Sequence, residues 1–256
     1  MLRNKIYDGL TYLSDPAQQE FADDIYIKVR KTEGRLYSDN EVRYLPDVPP
    51  GHPLKKEWEV RKKTAENLAK YFTNYNNNEI LEVGCGNGWL SNFLAEKTKN
   101  NITALDLNES ELKQAVKVFS EKDNLRFIFG NIFENIFPQK KFNFILLAGS
   151  IQYFRDFKKL IEQLSYYLKP GGEIHIADSP FYKEEEKEAA KKRTGTYYNS
   201  IGFPEMIKNY YHRSWDELGN RNYYIVNWTK VRYSKILTGL KIPVKNIFPW
   251  IIIKNP

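Results

Sequence analysis

Residues 80–91 read I-L-E-V-G-C-G-N-G-W-L-S. Gly84, Gly86 and Gly88 follow a short apolar run and precede a helical one. Glycine permits a tight turn and lets a ligand approach the backbone closely. A helix starting near Trp89 would turn its unpaired N–H groups toward an anion. Glu82 stands two residues before the first glycine, and Cys85 lies inside the loop. Asp106 lies 18 residues beyond Gly88, at the end of the next apolar run. An acid there can accept hydrogen bonds from both hydroxyls of a ribose. Together these residues fit a nucleoside-containing ligand. A glycine turn that binds nothing is the plain alternative.

The elements that must position these residues can be read around them. Leu54, Trp58, Ala65, Leu68, Ala69 and Phe72 recur at helical spacing, which predicts an amphipathic helix over residues 54–73. Prolines and a glycine make residues 45–53 a loop. From residue 79 to about 180 strands and helices alternate. Strands are expected at 79–83, 101–106, 124–129, 142–147 and 173–177. Helices are expected after Trp89, over Leu112–Phe119 and over Phe157–Leu168, the last stopped by Pro170 and Gly171. Asn108 with Glu111 resembles a capping box at one helix start. Such alternation implies a parallel sheet with helices on both faces. Beyond it, E-E-E-K-E-A-A-K-K-R at 184–193 reads as a solvated helix, residues 222–228 as a strand, and the ending F-P-W-I-I-I-K-N-P, too short to span a membrane, as a terminal strand.

The glycine spacing separates two families. The dinucleotide fingerprint is G-x-G-x-x-G, whereas this chain has G-x-G-x-G with Glu82 ahead of it. That pattern resembles motif I of the class I S-adenosylmethionine-dependent methyltransferases. The resemblance extends over residues 79–180, through L-D-L at 105–107, G-N-I at 130–132, F-N-F-I-L-L-A-G-S-I-Q-Y-F at 142–154 and L-K-P-G-G-E at 168–173. It implies an α/β fold: a Rossmann-like, doubly wound, mostly parallel seven-stranded sheet with a helical N-terminal extension and a C-terminal substrate cap. It also implies S-adenosyl-L-methionine as cofactor. Gly84, Gly86 and Gly88 would approach its methionine and ribose portions, and Glu82 would support the methionyl ammonium. Asp106 would bind the ribose hydroxyls and Leu107 would pack on adenine. Asn131 stands where relatives often carry an aspartate for the adenine amino group, next to Ile132. Gly149 and Ser150 would face the methionine side. Leu107 and Ile132 fit a core role equally well, and Asn131 fits a turn cap.

The resemblance implies an acceptor side without an unmistakable base. Gln152 and Tyr153 follow the fourth core strand and are expected to face the substrate. Of His52, His175 and His212, His212 is the best catalytic candidate, because the C-terminal region should cover the strand ends. For each histidine a structural role is the simpler expectation. No [D/N/S]-P-P-[Y/F/W] follows the fourth core strand, which argues against amino-group methylation of adenine or glutamine. Cys85 sits in the glycine loop, which argues against a cysteine nucleophile acting on pyrimidine carbons. A small-molecule or glycan-linked acceptor, methylated on oxygen or nitrogen, is the preferred class.

Composition bounds these readings. The chain has 256 residues, a net charge of +7 and one cysteine. It cannot form an intramolecular disulfide framework, and a cysteine-rich zinc site is excluded. No run approaches the roughly 18 apolar residues of a membrane span, and the first residues lack an apolar leader, so a cytoplasmic protein is expected. Three regions are expected: 1–78 as a helical extension or cap, 79–180 as the cofactor-binding core, and 181–256 as cap and last strands. The charge surplus lies in the last region, with 14 Lys+Arg against 7 acids and 14 aromatic residues. Such a stretch can bind nucleic acid, line a pocket for an acidic or ring-shaped molecule, or simply make a core under a lysine surface. Two further readings therefore stand beside the first: RNA methylation, and a non-catalytic cofactor-binding module.

Overall fold

A computed structural model describes residues 5–19, 23–119, 121–226 and 248–254. The chain begins with β1 (Lys5–Tyr7), β2 (Leu10–Tyr12), α1 (Asp23–Thr32), α2 (Asp39–Tyr44) and α3 (Lys55–Phe72). Next come β3 (Glu79–Val83), α4 (Trp89–Lys97), β4 (Asn101–Asp106), α5 (Glu109–Phe119) and β5 (Leu125–Phe129). β6 (Phe142–Ala148), α6 (Phe157–Tyr167) and β7 (Leu168–Ala177) complete the alternation. The last described parts are β8 (Phe181–Tyr182), α7 (Glu184–Ser200), β9 (Arg213–Ser214), β10 (Tyr223–Val226) and β11 (Trp250–Lys254).

Among the described residues, nine strands form one sheet in the order β1-β2-β5-β4-β3-β6-β7-β11-β10. The six from β2 to β7 in that order are parallel, and β1, β11 and β10 pair antiparallel at the edges. Neighbouring residues on one strand face opposite layers. Ile80, Leu146 and Ile252 pack in the layer of α3, α4 and α5. Leu81, Leu147 and Ile251 pack in the layer of α6. Burial on both faces explains why these strands are nearly continuous apolar runs. β3 has β4 on one side and β6 on the other, so the strand order reverses there and a crevice opens at the carboxyl ends. Over that crevice lie α1 and α7, joined by Val29, Tyr198 and Met206, with Tyr26, Tyr153 and Tyr210 packed against them.

The parallel core lies where the sequence puts it, but the sheet has two more strands than expected. The first region is not helical throughout, because residues 5–12 form a hairpin added to the β5 edge. Asp8 and Gly9 both adopt positive φ, at 47° and 82°. An Asp-Gly pair between two strands is the favoured two-residue hairpin turn, so the signal was present. Leu10 and Tyr12 turn inward and are buried. α6 ends at Tyr167, and Leu168 already begins β7, which shifts register against β6 between Phe142 and Phe144. α7 continues seven residues past Arg193, holding Tyr198 against α1. The strand expected over 222–228 is present as Tyr223–Val226; residues 227 and 228 lie outside the described residues.

Candidate active site

The crevice holds a cavity of about 420 Å³ against the strand ends. Val83 closes β3, and Gly84, Gly86 and Gly88 follow with φ of 78°, 53° and 74°. All three values lie in the left-handed region that glycine adopts at little cost. Their neighbours differ, however. A Cβ on Gly84 would lie 2.5 Å from that of Ser150, and one on Gly86 would lie 3.3 Å from the Glu111 carboxylate. A Cβ on Gly88 would meet Phe127 at 2.5 Å and Ala115 at 3.0 Å. Gly84 and Gly86 therefore line the cavity, whereas Gly88 lets α4 start close against β5 and α5. The expectation that Gly88 approaches a ligand is corrected on this point.

Asp106 ends β4 and braces the loop. One carboxylate oxygen accepts from the Gly86 N–H at 2.7 Å. The other accepts from Leu107 and Asn108 N–H at 2.7 and 2.8 Å. Burial raises its pKa while these three bonds lower it, leaving a net upward shift. The oxygen that accepts only from Gly86 still has a lone pair for a ligand hydroxyl, whereas the other already accepts two N–H bonds. Leu107, Asn131 and Ile132 line the same cavity. Asn131 caps a turn, its Oδ1 accepting from Phe133 N–H at 3.0 Å and its amide donating to Gln19 at 3.0 Å. The alternative role of Asn131 as a turn cap is thus present, and its carbonyl oxygen is already engaged. Asn108 accepts from Glu111 N–H at 3.0 Å and caps α5.

Glu82 is buried behind the loop with the Ser91 hydroxyl donating to it. Burial pushes its carboxyl up to about 8, against the lowering effect of Ser91. Glu82 and Cys85 line a smaller recess that shares Gly84, Gly86 and Gly149 with the main cavity. Burial also raises the Cys85 thiol, which suits an inert packing role. Gly149 and Ser150 follow β6. Ser150 Oγ donates to Val83 O at 2.7 Å, tying the ends of β3 and β6 together.

A second cavity of about 700 Å³ opens on the other side of Gly149 and Tyr153, which line both. Arg30 Nη2 donates to the Tyr153 hydroxyl at 3.0 Å, and its guanidinium lies 4.9 Å over the Tyr26 ring. Arg35 holds Glu57 bidentately at 2.5 and 2.6 Å, and Arg61 adds a third bond at 3.0 Å. Burial raises the Glu57 carboxyl, but these guanidiniums outweigh it and bring it to about 2. Asp178 follows β7 with φ of 50° and accepts from Thr64 Oγ1 at 2.7 Å. Burial raises its carboxyl above the ordinary range. A Cβ on Gly149 would lie 3.6 Å from the Asp178 carbonyl oxygen and 3.8 Å from Arg61 Nη1.

The histidines stand elsewhere. His212 is buried with its Nε2 2.8 Å from Thr194 Oγ1, between the rings of Tyr182 and Tyr210. It lines neither cavity, so its candidacy as a base fails on placement. His175 takes the Trp250 indole N–H on Nδ1 at 3.1 Å and sits 3.2 Å from Glu173, deep in the core. His52 accepts from Leu54 N–H at 3.1 Å in the proline loop. The sequence reading missed Arg30, Arg61, Glu111 and Asp178. Only Asp178 carried a local signal: like Asp106, it follows a core strand directly.

Residues 80–172 match the family described as "Methyltransferase domain". Residues 80–172 are a class I S-adenosylmethionine-dependent methyltransferase domain. Its sequence is 38% identical over 96 residues to malonyl-[acyl-carrier protein] O-methyltransferase 2 of Ilyobacter polytropus, covering 37% of each chain. It is 29% identical over 104 residues to demethylmenaquinone methyltransferase of Listeria monocytogenes, covering 39% of this chain and 44% of that one. The chain thus spans less than half the length of the curated relatives it matches. A geranyl diphosphate methyltransferase, solved with its diphosphate and sinefungin, has the same fold with a TM-score of 0.57 and 13% identity, over 77% of this chain and 78% of that one. A solved chain described as a putative sarcosine dimethylglycine methyltransferase of Galdieria sulphuraria gives 0.55 and 17%, over 76% and 70%. Among the described residues, no helix is long and apolar enough to cross a membrane, and no cluster of His, Cys, Asp and Glu could hold a metal ion.

Proposed function

We propose that this chain transfers a methyl group from S-adenosylmethionine to an oxygen or nitrogen of a small-molecule acceptor. The observation that carries this reading is the meeting of two cavities at Gly149 and Tyr153. One is built for a nucleoside, and the other is a separate chamber large enough for a metabolite. The names of the two curated relatives, which methylate malonyl-acyl carrier protein and demethylmenaquinone, support an acceptor other than nucleic acid.

The residues of the first cavity fit the cofactor. Asp106 offers a free lone pair to a ribose hydroxyl, Leu107 and Ile132 offer apolar faces to a base, and Gly84 and Gly86 leave room at the backbone. Glu82 gives a carboxyl near the loop for the amino-acid end. When bound there, S-adenosylmethionine supplies a methyl group already activated on a sulfonium. The protein's work is then positioning and exclusion of water. Gly149, with φ of 66°, lies where the two cavities adjoin, and a Cβ there would sit in ordinary contact with Asp178 and Arg61. Tyr153, fixed by Arg30, orients the acceptor at that junction. Asp178, held by Thr64 beside Gly149, would take the proton that a hydroxyl acceptor loses as its oxygen gains the methyl group, or that a neutral amine acceptor sheds once it is methylated. Burial raises the Asp178 pKa, which makes it a stronger base than a free carboxylate.

Calorimetric titration with S-adenosylmethionine and S-adenosylhomocysteine tests the reading. Micromolar binding of both is expected. A folded protein that binds neither overturns the proposal. Tight binding without methyl transfer to any cell-extract fraction favours the non-catalytic module. RNA methylation has less support, because Tyr198 is buried and Tyr210 and Trp215 are partly buried, which leaves them little outward face for a nucleic-acid strand.

A further inference from the structure

The charges around the second cavity do not balance, and the imbalance is informative. Its three carboxylates are all engaged by the protein itself. Glu33 lies 3.2 Å from both Arg30 and Arg35 and accepts from the Tyr197 hydroxyl. Glu57 is held by Arg35 and Arg61, and Asp178 by Thr64. Five cationic side chains line the same space. Two of them, Lys56 at the start of α3 and Arg193 on α7, have no ion pair among the described residues. They stand on different walls at the outer side, while Tyr153, Tyr198 and Tyr210 supply ring surface inside.

The first cavity has the opposite character. Asp106 and Glu111 line it with Arg155 as its one cation. Two adjoining chambers of opposite sign sort their ligands, since a charged ligand gains from unpaired opposite charge and is repelled by like charge. A guanidinium and an ammonium without counter-ions suit a carboxylate or phosphate group.

We infer that the second cavity takes an acidic acceptor, a small molecule whose carboxylate or phosphate group is held by Lys56 and Arg193 while its less polar body lies among the tyrosines. The inference rests on the transferase reading and names its substrate class. The acid group is the anchor, and the methylated atom is at the other end, beside Gly149. The acceptor site therefore selects its ligand by charge at the mouth and by shape within.

The test uses the full chain, labelled S-adenosylmethionine and a small-molecule extract of the source cells, split on a strong anion exchanger at neutral pH. Acceptor activity is expected in the retained fraction. Phosphatase treatment of that fraction then tells a phosphate ester, which loses activity, from a carboxylate, which keeps it; both results support an acidic acceptor. Lys56→Gln/Arg193→Gln should raise the KM for the retained acceptor by about tenfold, a loss within reach of charged hydrogen bonds. The variant should leave S-adenosylhomocysteine affinity unchanged, and both positions are exposed, so folding is not at stake. KM should also rise with added salt. Acceptor activity found only in the unretained fraction, or a double variant with unchanged KM, overturns the inference and leaves the transferase reading intact. Cofactor binding with no transfer to either fraction overturns both.

Discussion

Glu82 and Asp106 are buried carboxylates held in opposite ways. Asp106 is surrounded by donors, and its loss should remove a ligand bond and the brace on Gly86. Asp106→Ala is expected to weaken S-adenosylmethionine binding by about 1.5–3 kcal/mol, read by calorimetry. Unchanged affinity in a folded variant would refute the ribose assignment. Glu82 has one hydroxyl donor and a carboxyl raised to about 8. Between 4.5 and about 8 the folded chain holds a proton there that the unfolded chain has lost, so this group's contribution to stability falls as pH rises through that window. Glu82→Gln cannot ionise. Its melting temperature should gain on the wild type from pH 5 to pH 8.5, and a constant gap would contradict the raised pKa. His212 is tied to Thr194 rather than to either cavity. His212→Asn should lower the melting temperature while leaving cofactor affinity within about twofold, less than a single neutral hydrogen bond contributes.

Elements explain why spacing alone was an incomplete guide. The glycine loop was legible as a loop because a strand, three glycines and a helix follow in order. What each glycine faces was not legible, because Ser150, Glu111 and Phe127 come from distant segments. Gly88, tight against the core, and Gly86, at the cavity wall, make different predictions. Gly88→Ala should destabilise the fold by about 1–3 kcal/mol, since overpacking against Phe127 and Ala115 acts on the core. Urea unfolding would measure it. Gly86→Val, with its side chain toward Glu111, should instead abolish cofactor binding in a chain that still unfolds cooperatively. Equal stability losses in both would remove the distinction. The hairpin at Asp8-Gly9 was legible and passed over, because three-residue strands give little alternation to read. Arg30 and Arg61 were not legible as site residues: helical periodicity says only that they face away from an apolar stripe, and the packing of α1 and α3 decides the rest.

Across the whole molecule, a buried polar group joins three elements, one helix and two neighbouring strands. Glu173 on β7 accepts from the Tyr71 hydroxyl of α3 at 2.6 Å and lies beside His175, which accepts the Trp250 indole of β11. Lys254 adds an ion pair at 3.3 Å. Burial raises the Glu173 carboxyl, but His175, Tyr71 and Lys254 outweigh this and bring it to about 2. Its contribution to stability is therefore complete above 4.5 and lost as pH falls toward about 2. Urea midpoints at pH 7 and pH 3 should converge for wild type and Glu173→Gln at the lower pH. A gap that stays constant would show that the carboxylate charge has no part in it. The sequence placed His175 in a strand but could not place Tyr71 and Trp250 against it, because nothing in local spacing records which helix covers which strand.

Trp58 and Trp89 meet edge to face, with ring centroids 5.2 Å apart and planes at 82°. Trp89 is the first residue of the helix after the glycine loop, and Trp58 lies on the helix that carries Arg61. Two indoles so close couple their electronic transitions. The near-ultraviolet circular dichroism of this protein should therefore carry a signature of the loop's geometry, and ligand seating should register as a change in that signal without any label.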